Sequence, residues 1–334
     1  MNEEILSSVT DTPSFNINLL KRQMKTMGWG LFWLMISAQF LAVIPLLIFS
    51  SLAEIGVIDT TLATWLATDI GIYGIGLPLF YMVIKRIPKS KIKDKHYKFN
   101  LKKVIYTSFV LFGILYTFNL LALGITEILQ IITGREIVNF LEDTINSTTS
   151  IYTFVFVVII GPILEEILFR KMIIERTLIL GETFAIVFSG LTFGLFHGNL
   201  NQTIYATMLG IALAYIYIKC GNLKYPIFFH MIVNLLGSFL MPLLLSKNES
   251  ESIFVTIFVI FTILIAAYTF IKYHKSIDLD EGNIPLSTKE KFKLGMLTPG
   301  YIIYTVTFIL LIIIILFFLY QEIDLINIKS SLNK

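Results

Sequence analysis

Two adjacent glutamates, Glu165 and Glu166, follow a stretch from residue 144 to residue 164 that contains no charged side chain. Ionisable groups are costly in such apolar surroundings, so they indicate a function. Arg170 lies four residues after Glu166 and on the same face of a helix, where the two side chains can pair. Glu165 points about 100° away from that pair. We therefore expect Arg170 to neutralise Glu166 and Glu165 to stay free, in surroundings that suit a general base.

Histidines supply the other candidate groups. Phe193 and His197 are four residues apart, so the phenyl ring can pack beneath the imidazole on one helical face. His230 and Asn234 have the same spacing, which directs an imidazole and an amide from one helix toward one point. The other two of the four histidines lie among lysines and are expected to be solvated: His96 and His274.

Each pair also has a simpler interpretation. Glu166 and Arg170 fit a salt bridge at the cytoplasmic end of a helix. His197 fits a hydrogen-bonded histidine at the end of a span, and His230 with Asn234 fits polar contacts between helices. All of these residues fall between positions 161 and 234, and this coincidence favours one shared site.

Known catalytic patterns narrow the chemistry. The sequence contains no HExxH, which argues against a zincin-type metal site, and no GxxxxGK[ST] phosphate loop. Ser189 and Gly190 lack the first glycine of a rhomboid-type GxSG motif. Gly74-Ile75-Gly76 is not followed by the aspartate that presenilin-type proteases require.

Composition identifies the kind of element that must position these side chains. Hydrophobic residues make up 56% of the 334 residues, charged residues make up 15%, and the mean hydropathy is +0.79. A soluble domain carries about 25% charged residues. These values exclude a soluble enzyme, a disordered chain and a nucleic-acid-binding protein, and they predict an all-α, polytopic bundle of transmembrane helices.

Apolar windows of about 20 residues are long enough to cross a hydrocarbon core of ~30 Å as helices. Spanning strands would show alternating polarity instead of continuous apolar blocks. The sequence predicts about nine spans: 29–50, 62–84, 104–130, 151–169, 178–197, 203–218, 226–246, 252–271 and 299–320.

Lysine and arginine residues predict the orientation, because they accumulate in cytoplasmic connections. Of the 26 basic residues, 22 fall before the first predicted span or after the second, fourth, sixth and eighth spans. The loop between residues 85 and 103 is the most basic. We therefore expect a cytoplasmic N-terminus and an extracytoplasmic C-terminus.

The motifs EExxxR, FxxxH and HxxxN occur in that order, each within or at the end of an apolar span. In this arrangement the chain resembles the CAAX-protease and bacteriocin-processing family of intramembrane endopeptidases, which is related to the type II CAAX prenyl proteases. The matching stretch runs from about Gly161 to Ser238, roughly a quarter of the chain.

The resemblance implies hydrolysis of a peptide bond within the membrane. By their positions in the motifs, four residues would be catalytic and three would be structural: Glu165, His197, His230 and Asn234, and then Glu166, Arg170 and Phe193. Glu165 and His197 would activate a water molecule. His230 and Asn234 would stabilise the tetrahedral oxyanion.

The depth of the two histidines is a difficulty for this hypothesis. Strict alternation of spans places His197 and His230 at opposite ends of the span 203–218. Glu165 and His197 are easier to bring together, because each is sixteen residues from Gly181, where a turn would make them level. Spans six and seven must therefore be tilted, broken or shifted, or the sixth must not cross fully.

The same features predict three parts of the chain. Residues 1–150 hold N-terminal membrane helices, about three spans, and the basic cytoplasmic loop. Residues 151–246 form the protease-like core with the three motifs, and residues 252–334 hold C-terminal membrane helices. The first and last parts carry no motif that matches the family.

Cofactors and competing functions stay open. We expect no required metal or cofactor, with zinc as the alternative, because two histidines and a carboxylate can hold that ion. The alternatives to an enzyme are a non-catalytic membrane scaffold or bacteriocin-immunity protein, and a small-solute transporter. The intact set of polar residues favours the enzyme.

The sequence also predicts the location and the partners of the protein. The Lys-, Ile- and Asn-rich composition favours a bacterial plasma membrane. The expected partners are the lipid bilayer and a peptide or membrane-protein substrate, such as a peptide pheromone or bacteriocin precursor, without nucleic acid.

Overall fold

The protein is described from a computed structural model, which covers residues 16–92, 97–134, 150–241 and 249–314. All regular secondary structure in these residues is helical. The predicted all-α membrane bundle is therefore confirmed. The division of the chain into three parts stays a prediction.

Ten helices follow one another along the described chain. They are α1 (Ile17–Glu54), α2 (Thr60–Ile84), α3 (Leu101–Thr133), α4 (residues 150–177), α5 (Glu182–Phe196), α6 (Leu200–Cys220), α7 (residues 224–240), α8 (Glu249–Tyr273), α9 (Thr288–Met296) and α10 (Pro299–Ile314). Helices α1, α2, α4 and α7 continue through π-helical stretches, which widen the backbone without interrupting it.

Polar side chains and glycines set the ends of these helices. Asp59, Asn100 and Asn199 each accept a hydrogen bond from a backbone N–H in the first turn of α2, α3 and α6. Gly181 separates α4 from α5 with a φ of 98°, a conformation that favours glycine. The turn expected at this glycine is therefore present.

Within the described residues, five helices are long and apolar enough to cross a membrane: Ile17–Glu54, Thr60–Ile84, Leu101–Thr133, Leu200–Cys220 and Ile253–Ser276. A sixth span results if α9 and α10, which meet at an angle of 76°, form one bent span. The predicted count of nine is not confirmed. Helix α5 is shorter, because its 15 residues reach only about 22 Å at 1.5 Å per residue.

Helices α5 and α6 pack closely because glycines face the partner helix. A methyl group at Gly194 would lie 1.9 Å from the Thr207 hydroxyl, and one at Gly190 would lie 2.4 Å from Ile211. The largest apolar core joins α1, α4, α5 and α10, and a second core joins α3, α6 and α7. The motif-bearing helices are thus held between the N-terminal and C-terminal helices.

Candidate active site

Glu166 and Arg170 form a completely buried ion pair on α4. Both side chains have 0% exposure, and Arg170 Nη2 donates to Glu166 Oε1 at 3.1 Å. The second contact, from Arg170 Nε to Glu166 Oε2 at 2.9 Å, is an ion pair without hydrogen-bond alignment. The expected pairing of these two residues is present.

The remaining surroundings of Arg170 come from α5 and from the α4 backbone. Its Nη1 atom donates to the hydroxyl of Ser189 at 3.1 Å, and that hydroxyl donates to the carbonyl oxygen of Phe169 at 2.9 Å. The guanidinium also lies 5.0 Å from the ring centre of Phe193. Ser189, which fits no protease motif, therefore helps to hold the arginine.

His230 on α7 contacts both glutamates. Its Nδ1 atom lies 3.0 Å from Glu166 Oε1, and its Nε2 atom lies 3.6 Å from Glu165 Oε2. A carboxylate paired with Arg170 only accepts hydrogen bonds, so Nδ1 carries the proton and donates. The Nε2 contact is too long for a direct hydrogen bond.

Arg170 pairs with Glu166, as expected, and Glu165 accepts a hydrogen bond from a tyrosine of α2. The hydroxyl of Tyr73 donates to Glu165 Oε1 at 2.9 Å. The other carboxylate oxygen, Oε2, faces His230, and the side chain retains 14% exposure. The sequence did not predict this hydrogen bond, because the first two predicted spans carry no motif.

His197 occupies the C-terminal end of α5. Its Nδ1 atom lies 2.9 Å from the carbonyl oxygen of Phe193, which can only accept, so Nδ1 carries the proton. In the neutral ring, Nε2 then presents a lone pair. The Phe193 ring packs edge to face against His197 as expected, with ring centres 4.9 Å apart.

Phe193 also resolves the difficulty of depth. Its ring lies edge to face against His230, at 5.6 Å, as well as against His197. Because α5 has only 15 residues, it ends at His197 before it could cross a full hydrocarbon core of ~30 Å. The two imidazoles therefore meet through one aromatic ring.

Asn234 lies one helical turn after His230, and its amide nitrogen donates to the carbonyl oxygen of Val157 at 2.9 Å. This carbonyl belongs to the π-helical stretch Thr153–Ile160 of α4. An amide nitrogen has two N–H groups, so one remains for another acceptor. Asn234 therefore links α7 to α4 and has a second N–H that can donate to another acceptor.

A cavity of about 500 Å³ brings the candidate catalytic groups together. Its lining includes all four residues that were predicted to be catalytic: Glu165, His197, His230 and Asn234. Glu166 and Arg170 lie behind this surface and do not line it. The cavity thus separates the predicted catalytic residues from the predicted structural ion pair, while the roles themselves stay predictions.

Three acidic or phenolic side chains of this cavity were not predicted from the sequence: Asp69, Tyr73 and Tyr152. Asp69 lies one turn before Tyr73 on α2 and accepts a hydrogen bond from the Tyr152 hydroxyl at 2.5 Å. A signal for Asp69 existed, since it is an ionisable residue within the predicted span 62–84. Tyr152 carried no such signal, because tyrosines are common near span ends. Tyr73 lies in the middle of the span 62–84 but belongs to no catalytic motif.

The donor groups bear on metal binding. Within the described residues, no three or more His, Cys, Asp or Glu side chains are grouped closely enough to hold one metal ion. The groups that could bind zinc here are the Glu165 carboxylate and the Nε2 atoms of the two imidazoles. The Glu165 carboxylate already accepts a hydrogen bond from Tyr73. The absence of a required metal stays a prediction.

Comparison with known proteins covers the same part of the chain. Residues 147–236 match the family described as type II CAAX prenyl endopeptidase Rce1-like, and this range contains every predicted site residue. The protein named "Putative membrane peptidase YdiL" of Bacillus subtilis (strain 168) is 38% identical over 80 residues, which are 23% of this chain and 32% of that relative. The match thus spans about a third of that protein. No solved structure matches the chain.

Tyr73 and Asp69 lie outside the matched range, so the family segment supplies the motifs while α2 supplies part of the cavity wall. All three motifs lie inside the matched range. Residues 147–236 of the chain are thus similar to the CAAX-protease family of membrane peptidases.

Proposed function

We propose that the protein is an intramembrane endopeptidase that hydrolyses a peptide bond of a membrane-associated peptide or protein. The observation that carries this proposal is the meeting of Glu165, His197, His230 and Asn234 on one cavity, with the two imidazole Nδ1 atoms already engaged. Peptide hydrolysis requires a base for water and donors for the oxyanion, and this surface offers both.

Glu165 is the proposed general base. Tyr73 fixes one oxygen of its carboxylate, and the other oxygen faces the gap of 3.6 Å to His230 Nε2. A water molecule that loses its proton to Glu165 attacks the carbonyl carbon of the substrate. His197 assists, since its Nε2 lone pair can accept a hydrogen bond from the same water and orient it.

His230 and Asn234 are the proposed oxyanion donors. Glu166, held by Arg170, orients His230 through Nδ1. When both ring nitrogens carry a proton, the Nε2–H of His230 donates to the developing oxyanion. Asn234 adds its second amide N–H. The proton taken by Glu165 passes to the leaving amine, which completes the hydrolysis. A buried donor of this kind contributes about 10²–10³ in rate.

The mechanism requires no metal ion, and a precursor peptide of a pheromone or bacteriocin is the proposed type of substrate. The engaged states of Glu165 and Asn234 support the metal-free reaction. Zinc held by the imidazoles and Glu165 is the alternative.

Terminal profiling of membranes tests the proposal without a known substrate. Membranes with the unsubstituted protein are compared with membranes that hold an equal amount of Glu165→Gln, and new peptide N-termini are identified by mass spectrometry. We expect N-termini that only the unsubstituted protein produces, and we expect them to persist in a strong zinc chelator. Identical N-termini in both samples would refute the peptidase, and loss on chelation with recovery on added zinc would establish the metal alternative.

A further inference from the structure

The cavity occupies one half of the helix bundle. Its lining falls between residues 65 and 73 in α2, between 115 and 126 in α3, and between 152 and 165 in α4. In α6 it falls between 200 and 209, in α7 between 230 and 238, and α5 contributes only its last residues. In α2, α3, α4, α6 and α7 the lining runs from about the middle of the helix toward the end that is farther from the lysine-rich connections.

Those connections meet at the opposite end, here called the basic end, which comprises residues 85–92, 175–182, 219–224 and 274–287. The backbone N–H of Ser90 donates to the carbonyl oxygen of Glu175 at 2.6 Å. Lys219 Nζ donates to Glu182 Oε2 at 2.5 Å and to the carbonyl oxygen of Asp278 at 2.6 Å. None of the residues that line the cavity is a lysine or an arginine.

Large side chains close the cavity toward the basic end. Phe169, Arg170 and Ile173 have 0% exposure, and they lie on α4 between Glu165 and the basic end. Phe184 and Phe188 fill the corresponding part of α5, with exposures of 1% and 0%. The described residues therefore place a solid core, and not a channel, between the catalytic groups and the lysines.

The other end of the cavity reaches the turn between α5 and α6. Asn199, Asn201 and Gln202 line it there, and Asn201 accepts a hydrogen bond from Thr126 near the far end of α3. Polar amides at a helix turn are compatible with a water-filled entrance, whereas bare backbone facing lipid is not.

We infer that the cavity takes its polypeptide substrate from the extracytoplasmic side of the membrane. Lysine and arginine accumulate on the cytoplasmic side, so the basic end is cytoplasmic and the cavity opens away from it. The inference rests on the proposed peptidase function, which makes the bound polypeptide a substrate. The substrate class is then an exported peptide, or the extracytoplasmic end of a membrane protein.

Cysteine labelling tests this access directly. Ser238 lines the cavity, and Ser276 is exposed at the basic end, so Ser238→Cys and Ser276→Cys form a matched pair of small changes. The natural Cys220 is only 4% exposed and serves as the background. Intact bacterial cells that express each variant are treated with a small, membrane-impermeant cationic methanethiosulfonate, and cells opened by detergent provide the reference.

We expect Ser238→Cys to react in intact cells and Ser276→Cys to react only in opened cells, with at least a tenfold difference in rate. Reaction of Ser238→Cys only after opening, or in neither sample, would overturn the inference, as would reaction of Ser276→Cys in intact cells. Asn119→Cys, on a different wall of the cavity, replaces Ser238→Cys if that variant does not fold.

The labelling requires no catalysis, so it separates the two proposals. The same pattern is expected when Glu165→Gln is added to each variant. A chain without peptidase activity can still show access from outside, and a reversed labelling pattern would leave the peptidase proposal intact.

Discussion

The carboxylate of Glu165 is oriented by side chains from two different parts of the chain. Tyr73 on α2 donates to one oxygen, and His230 on α7 faces the other. His230 is in turn held by Glu166, which Arg170 neutralises. Each contact fixes the next, so the position of the base also depends on Glu166 and Arg170, which lie behind the cavity surface.

Tyr73→Phe removes the hydroxyl that donates to Glu165 and keeps the ring. A hydrogen bond to a charged group is worth about 1.5–3 kcal/mol, so loss of orientation should lower kcat about tenfold or more with little change in KM. Steady-state kinetics on the purified protein measure this. Tyr106→Phe, which removes a hydroxyl that contacts Thr269 away from the cavity, is the control and should leave kcat unchanged. Equal kinetics for both variants would show that Tyr73 does not position the base.

Arg170→Ala leaves the completely buried Glu166 without its partner. Breaking a buried ion pair in this way costs about 3–5 kcal/mol, so the thermal midpoint in detergent should fall clearly and activity should be lost. Replacing both residues, with Glu166→Leu and Arg170→Leu, should recover much of the stability but none of the activity, because His230 then lacks its acceptor. An unchanged midpoint for Arg170→Ala would contradict the structural role of the pair.

At the scale of helices, the close approach of α5 and α6 determines where His197 lies. Gly194 precedes His197 by three residues, and a methyl group there would meet the Thr207 side chain and the Thr203 carbonyl oxygen at 1.9 and 2.7 Å. A side chain at this position must therefore push the end of α5 away from α6 and displace the imidazole.

Gly194→Ala should accordingly lower both stability and activity. Overpacking of this kind costs about 1–3 kcal/mol, which thermal unfolding detects. Gly124→Ala on α3 is the matched control, because no atom lies within 4 Å of the added methyl group. The packing argument would be wrong if the two variants had the same midpoint and the same activity.

The sequence predicted the helices better than the contacts between them. Windows such as 62–84 and 104–130 lie within α2 and α3, because uninterrupted apolar residues identify spans. The i to i+4 spacings correctly predicted that Glu166 would pair with Arg170 and Phe193 with His197, since both are contacts within one helix. Tyr73 could not be predicted in this way, because its contact with Glu165 depends on how α2 packs against α4.

At the scale of the whole molecule, the cavity is built by more than the family segment. Residues 147–236 hold the three motifs, whereas α1, α2, α3 and α10 also line the cavity. These helices carry no motif, so only the three-dimensional arrangement shows that they contribute to the cavity. The N-terminal and C-terminal helices thus complete a cavity whose motifs lie in the short matched segment.

The central claim is that Glu165 and His197 act on the same water molecule. The most direct test compares kcat/KM for Glu165→Gln, His197→Gln and the double variant, with a substrate found by terminal profiling. Groups that act as one unit lose little more together than singly. We predict that each single variant loses about 10³ or more in kcat/KM, and that the double variant loses no more than the worse single one. Losses that multiply in the double variant, or a Glu165→Gln protein that keeps full activity, would contradict the claim.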